Sequence, residues 1–327
     1  MKRREFIALL VGATVCNSTA WGQGTQRIRR IGVLQTLGPN SPEYKRRLGA
    51  LREGLQDLGW VEGRNIIFEL RSADGQMERL PNLAAELAAA NVDIIVTAGV
   101  DIQAARNAST STPIVMPSVG DAVGAGLITS LAHPGGNITG LTLVASEQST
   151  KRFEFMKTII PDLERVGIIW NAANISHRLQ FEHLEPAAEV LKVTFDSLPV
   201  RNTADIEKGL EATFKKGSQA IFTMDDGLIQ SNASRIIELA TRERIPVVGE
   251  FRNLAEAGAI LSYSPNILLM WRHSASFIDK IFKGEKAGDL PVEQPTTFLF
   301  VLNLKTAKTL GLVVPPTLLA LADEVIE

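Results

Sequence analysis

Short β-branched or apolar runs alternate with amphipathic stretches of helix length through almost the whole chain, and this alternation restricts the fold more than any other feature. Residues 30–34 read as a buried strand, and the spacing of Leu48, Leu51, Leu55 and Leu58 predicts a helix over 42–58. Ser41 is placed to cap that helix, Pro42 suits its first position, and Gly59 stands where a left-handed C-cap belongs. Residues 65–70 make a second strand and 78–90 a Leu/Ala-rich helix, followed by short strands at 93–96 and 113–116 with a helix between them. The turn at 133–137 closes a further helix and precedes a strand over 138–143. The pattern then restarts, with strands at 166–170, 193–196, 220–223, 246–248 and 259–261 separated by helices. Pro186 should kink or split the first of these helices. A helix over 266–282 and a strand near 297–302 complete the chain. Such repetition predicts parallel sheets covered by helices on both faces, and the restart predicts two similar α/β lobes in series.

The N-terminus carries an address. Met1-Lys2-Arg3-Arg4-Glu5-Phe6 leads with adjacent arginines into an apolar block over 6–15, the twin-arginine form of an export signal. That block is about ten residues, well short of the roughly twenty that span a membrane. Small residues at Ala20-Trp21-Gly22 place cleavage near Gly22, so the expected location is the periplasm. About 300 residues remain, enough for two domains of about 150. Cys16, the only cysteine, lies inside the signal, so the mature chain has no disulfide, thiolate nucleophile or cysteine-ligated metal. Val15 before it is not the small residue that lipidation of Cys16 requires. The formal charge is −2; without Lys2, Arg3, Arg4 and Glu5 it is 31 basic against 35 acidic residues, or −4. No basic face is implied, which argues against nucleic acid as a partner.

In open parallel sheets, functional groups collect beyond the carboxyl ends of the strands. Those loops hold Gln35 and Thr36, then Ala98 and Gly99, then Ser118, with Asp121 a few residues on. In the second half they hold Asn171, the pair Asp225 and Asp226, and Glu250. Hydroxyls and backbone amides in the first half facing carboxylates in the second suit a zwitterion, the former taking a carboxylate and the latter an ammonium. Tyr263 and Phe251 are placed either to flank an apolar or aromatic side chain or to pack beneath a hinge. The plain alternative for the Asp and Ser residues is helix capping. Other chemistry finds little support. Gly120, Gly124 and Gly126 miss the dinucleotide spacing, and no phosphate-loop lysine occurs. His133, His177, His183 and His273 are too scattered for a metal cluster, and no Gly-x-Ser-x-Gly elbow exposes a nucleophile. The expectation is a binding protein without catalytic residues, metal or cofactor.

Longer motifs carry a family likeness. Leu51-Arg52-Glu53-Gly54-Leu55-Gln56-Asp57-Leu58-Gly59-Trp60-Val61-Glu62-Gly63-Arg64-Asn65-Ile66 resembles the first-helix signature of a group of ABC-transporter substrate-binding proteins. The likeness continues at Asp121-Ala122-Val123-Gly124, His133-Pro134-Gly135-Gly136-Asn137, Gln294-Pro295-Thr296 and Asn303-Leu304-Lys305-Thr306, and reaches the end of the chain. Members usually have Asp-Pro where this chain has Asp121-Ala122.

What the resemblance implies is a type I periplasmic-binding-protein fold: two Rossmann-like lobes, a ligand cleft between them, and a hinge of three crossovers near 142–146, 262–265 and 290–295. Lobe 1 would then comprise 28–142 plus about 264–290, and lobe 2 146–262 plus about 295–327. It further implies a monomer that closes on a small molecule and presents it to an ABC permease in the inner membrane. Some relatives bind tryptophan or other amino acids, so an amino acid with an aromatic or branched side chain is the expected ligand. An exported enzyme using the Asp225, Asp226 and Glu250 carboxylates, or a sensory receptor, are the alternatives.

Overall fold

The computed structural model describes residues 27–327, so the export signal expected from the sequence lies outside the described residues. The first half runs β1 (Arg29–Gln35), α1 (Pro42–Asp57), β2 (Ile66–Ser72), α2 (Leu80–Ala89), β3 (Ile94–Thr97), α3 (Asp101–Ala108), β4 (Ile114–Met116) and β5 (Ile138–Gly140). These strands form one parallel sheet in the order β2-β1-β3-β4-β5. The second half runs α4 (Ala145–Ile159), β6 (Arg165–Asn171), α5 (Ile175–Leu191), β7 (Thr194–Val200), α6 (Thr203–Lys215), β8 (Ala220–Thr223), α7 (Gly227–Ser231), α8 (Ala233–Arg242), β9 (Val247–Gly249), α9 (Arg252–Ala257) and β10 (Leu261–Pro265). After α10 (Ile267–Phe282), β11 (Phe298–Asn303), α11 (Leu304–Leu310), α12 (Pro316–Leu319) and β12 (Glu324–Ile326) complete a second sheet in the order β12-β11-β10-β9-β8-β6-β7.

Local chemistry sets many of these boundaries. The Ser41 hydroxyl accepts from the Tyr44 amide at 3.2 Å and Pro42 opens α1. Gly59 ends that helix region at φ 86°, a conformation that a β-carbon would strain. Each sheet is sandwiched by two apolar layers. On β1, Ile31 and Val33 pack with α1 and α10, while Leu34 faces α2 and α3. On β6, Val166 and Ile168 face α4 and Ile169 faces α6 and α8. Alternation along each strand fills both layers, as expected for strands buried on two sides.

Three features bear on the sequence expectation. No helix precedes His133 in the segment after β4. The hydroxyls of Thr129 and Ser130 donate to the His133 carbonyl at 2.7 and 3.2 Å, and the Ser130 hydroxyl also accepts from the His133 amide, so side chains take the bonds a helix would use. Second, of the kink or split expected at Pro186 the split does not occur: α5 runs through it, its buried face of Ser176, His177, Gln180, Leu184 and Ala188 anchoring both halves. Third, the second sheet is not wholly parallel, because β11 runs antiparallel to β10. β10 leaves the second lobe and β11 re-enters it after α10, so the two run in opposite senses.

The lobes are joined by chain passing between them at three places. The linkers are themselves tied together: Leu141 bridges Glu293, the Thr142 amide donates to the Glu293 carbonyl at 3.0 Å, and the Asn266 amide donates to the Thr297 carbonyl at 3.0 Å. Val144, where the first linker enters α4, is held at φ 49°.

α10 follows the second linker yet packs on α1 of the first lobe. The contact is close because of Gly54: a β-carbon there would sit 2.2 Å from the Arg272 carbonyl oxygen and 3.0 Å from the Ala275 β-carbon. Gly49, on the same helix, faces open space. Gly54→Ala is therefore expected to destabilise by about 1–3 kcal/mol through overpacking. Gly49→Ala should stabilise by about 0.5–1 kcal/mol through helix propensity. Urea unfolding of both variants measures the contrast, and shifts of the same sign would contradict this account of the α1–α10 contact.

Candidate functional site: a closed cleft between the lobes

The carboxyl ends of β1, β3 and β4 in the first lobe face those of β6, β8 and β9 in the second. Between them lies a narrow cleft with a cavity volume of only about 50 Å³. Gln35, Thr36, Ala98, Gly99 and Ser118 line one wall, and Asp225, Asp226, Glu250 and Phe251 line the other.

Three sequence candidates stand outside this lining. Asp121 lies just beyond the rim, its carboxylate accepting from the Gly124 amide at 2.8 Å and its amide donating to the Ser176 hydroxyl at 3.2 Å. Asn171 sits behind the wall and donates to Asp226 Oδ2 at 2.6 Å. Tyr263 is on β10 among Phe155, Phe298 and Phe300, stacked on Phe298 at 5.7 Å, which corresponds to the packing alternative. Sequence reasoning missed Arg47 on α1, Asp101 at the start of α3, His177 and Gln180 on α5, and Gln230 on α7, all of which line the cleft.

The lobes touch across the cleft. Arg47 Nη2 donates to Gln230 Oε1 at 2.7 Å, and Arg46 pairs with Glu256 of α9 at 2.8 Å. A β-carbon at Gly227 would lie 2.5 Å from the Thr36 β-carbon. This is a closed arrangement.

Closure buries four carboxylates, each with a separate support. Asp101 accepts from the Thr36 amide at 2.6 Å and from its hydroxyl at 2.5 Å. Asp226 Oδ1 caps α7 through the amides of Leu228 and Ile229. Asp225 Oδ2 accepts from the amides of Glu250 and Phe251, both at 3.0 Å, while Glu250 Oε2 accepts from the Asp225 amide at 3.0 Å. Behind them Arg152 of α4, fully buried, reaches Glu250 Oε2 at 3.4 Å.

Burial pushes Asp101 up to about 7 despite the two bonds from Thr36, and pushes Glu250 up to about 7 against the opposing charge of Arg152. Asp225 is raised by the same cause. Burial lowers His177, whose Nδ1 accepts from the Asn171 amide at 3.1 Å, so the ring is neutral with its proton on Nε2. Three buried atoms in this cleft lack a hydrogen-bond partner: both amide atoms of Gln35, and Asp225 Oδ1, the Asp225 carboxyl being otherwise supported by two backbone amides and the Thr223 hydroxyl. Unpaired buried polar atoms are costly, and a cleft that keeps them is shaped to have them met from outside the chain.

Carboxyls whose folded values lie above their unfolded ones hold protons that the unfolded chain has released. Their contribution to stability is complete below about pH 4 and is lost as pH rises through about 7. The melting temperature of the ligand-free protein should therefore fall between pH 5 and 8; a rise across that window would contradict the assignment. Separately, Gly227→Val should prop the lobes apart at Thr36. Small-angle scattering should then show a larger radius of gyration than wild type, and an unchanged radius would show that closure does not depend on that contact.

A curated tyrosine-binding protein of Clostridioides difficile (strain R20291) is 23% identical over 289 residues, 88% of this chain and 82% of the relative. Among solved structures, a conserved domain protein from Vibrio cholerae superposes with a TM-score of 0.85 at 26% identity, covering 91% of this chain and all of the other. An ABC domain from Streptococcus pneumonia in complex with L-Trp superposes at 0.84 with 23% identity and the same coverage. The two-lobed architecture is that of the type I periplasmic binding proteins. Over residues 30–326 the sequence matches the ABC transporter substrate binding protein family, and the chain belongs to that family.

Proposed function

We propose that the protein is the solute receptor of an ABC importer, working in the periplasm and delivering an amino acid with an aromatic side chain to an inner-membrane permease. The observation that carries this reading is the pattern of unmet polar atoms in a closed cleft: Asp225 Oδ1, an acceptor suited to an ammonium, and the Gln35 amide, which offers both a donor and an acceptor. Ser118 and the turn at Ala98 and Gly99, on the opposite wall, suit the ligand's carboxylate. Phe251 and Leu143 supply apolar surface beside them for its side chain. The tyrosine-binding relative and the L-Trp complex point to the same ligand class.

Binding rather than conversion fits the state of the acids. Glu250 is engaged by Arg152 and the Asp225 amide, Asp226 caps a helix, and Asp101 is held by Thr36, so no acid–base pair stands free to act on a substrate.

Thermal unfolding with each of the twenty amino acids tests the proposal. A ligand at one hundred times its Kd should stabilise by about 2.7 kcal/mol. L-Tyrosine or L-tryptophan should give the largest shift and be recovered unchanged after incubation. No shift from any amino acid would overturn the ligand class.

A further inference from the structure

Arg152 belongs to none of the walls, yet it supports one of them from behind, both Nη atoms engaged and Nε buried without a partner. It is fully buried on the second turn of α4, the helix that begins where the first linker enters the second lobe. Its Nη1 donates to the Thr223 carbonyl at 3.0 Å, at the end of β8. Its Nη2 donates to the Ser149 hydroxyl at 2.9 Å and to Glu250 Oε2 at 3.4 Å, and the guanidinium lies 4.6 Å from the centre of the Phe222 ring. A charge so placed is costly to bury unless it does something for its neighbours.

Those neighbours are two carboxylates on adjacent strand ends. Glu250 and Asp225 each accept the other's amide, an arrangement that fixes both side chains but brings two like charges together. Without a cation they would share a proton. Arg152 compensates one of the two charges and does so from behind, on the Glu250 side. Of the four cleft carboxylates, Asp225 alone keeps a buried oxygen without a hydrogen bond.

We propose that Arg152 is a positioning residue: by engaging Glu250 it offsets one of the two paired charges and fixes Asp225 in the cleft wall, and so reserves Asp225 Oδ1 for the primary ammonium of the ligand. This rests on the amino-acid reading given above. The Thr223 hydroxyl bonds the Asp225 carboxyl and His177 from α5 meets its backbone, while Asp226, Asp101 and Arg47 line the same cleft; apart from the Asp225 amide, Arg152 alone bonds Glu250 Oε2 among the described residues.

The test compares L-tryptophan with indole-3-propionate, the same molecule without its amino group, across pH 5.5–8.5. Wild type should prefer tryptophan by at least about a hundredfold, and Asp225→Asn should abolish the preference. Arg152→Met should reduce it by about tenfold or more and move the acidic limb of the affinity profile to higher pH, since one unit of displaced ionisation is a factor of ten. The double variant Arg152→Met/Glu250→Gln removes both charges of the buried pair and guards against simple misfolding. It should recover the preference to within a few-fold of wild type. A folded Arg152→Met protein with wild-type preference and pH profile would overturn the proposal, as would a double variant no better than Arg152→Met.

Carboxyl-carbon NMR titration of the ligand-free proteins separates this from the ligand reading. Loss of Arg152 should raise the Asp225 and Glu250 midpoints whatever ligand binds. If no amino acid binds wild type but the midpoints move, the ligand class fails and the positioning role stands. Unmoved midpoints overturn the positioning role itself.

Discussion

Four carboxylates closed away from water between two lobes must each be met by a donor or a cation, and most of the cleft's construction answers that requirement. Asp101 ties the start of α3 to the end of β1 through Thr36. Asp226 ties the end of β8 to the first amides of α7 and, through Asn171, to β6. The Asp225–Glu250 exchange joins the ends of β8 and β9, and Arg152 joins both to the helix that leaves the hinge. The hydrogen bonds that make these acids tolerable are the same ones that fix the geometry of the second lobe's binding wall.

This explains why the site was only partly legible from sequence. Strand-to-loop transitions are marked by apolar runs ending in small or polar residues, so Gln35, Thr36, Ala98, Gly99, Ser118, Asp225, Asp226 and Glu250 were found where the topology puts them. Asn171 closes β6 but turns to support Asp226, and Tyr263 lies in the middle of β10, where its ring joins an aromatic cluster. Nothing in their spacing distinguishes the two outcomes. Arg47, His177, Gln180 and Gln230 reach the cleft from helices, and which helical face meets another lobe depends on how the lobes dock. The two-lobed α/β architecture was written in the alternation of strand and helix. The non-helical segment before His133 was not, because its hydroxyl-to-backbone bonds depend on a local geometry that propensity does not encode.

The family motifs have a structural role away from the cleft. In the first signature, the Trp60 indole donates to Asp279 of α10 at 3.0 Å. Asn65 accepts from the Val61 amide and donates to the Gly59 carbonyl, closing the turn between α1 and β2. Near the C-terminus, Asn303 caps α11 and Asp323 accepts from the Phe300 amide. These residues specify how the lobes are assembled, so they reveal the family while saying little about the solute. Under the proposed function, ligand identity resides instead in Gln35, Ser118, Asp225 and Phe251.

The pairing among the linkers has a mechanical consequence. Three independent strands of chain would let one lobe slide, twist and tilt against the other. Tied to one another at Glu293 and Thr297, they form a narrow ribbon that bends easily about one line and resists the other motions. The molecule is thereby left with essentially a single mechanical coordinate. Under the proposed function, any surface that senses the spacing of the lobes, however far from the cleft, senses occupancy.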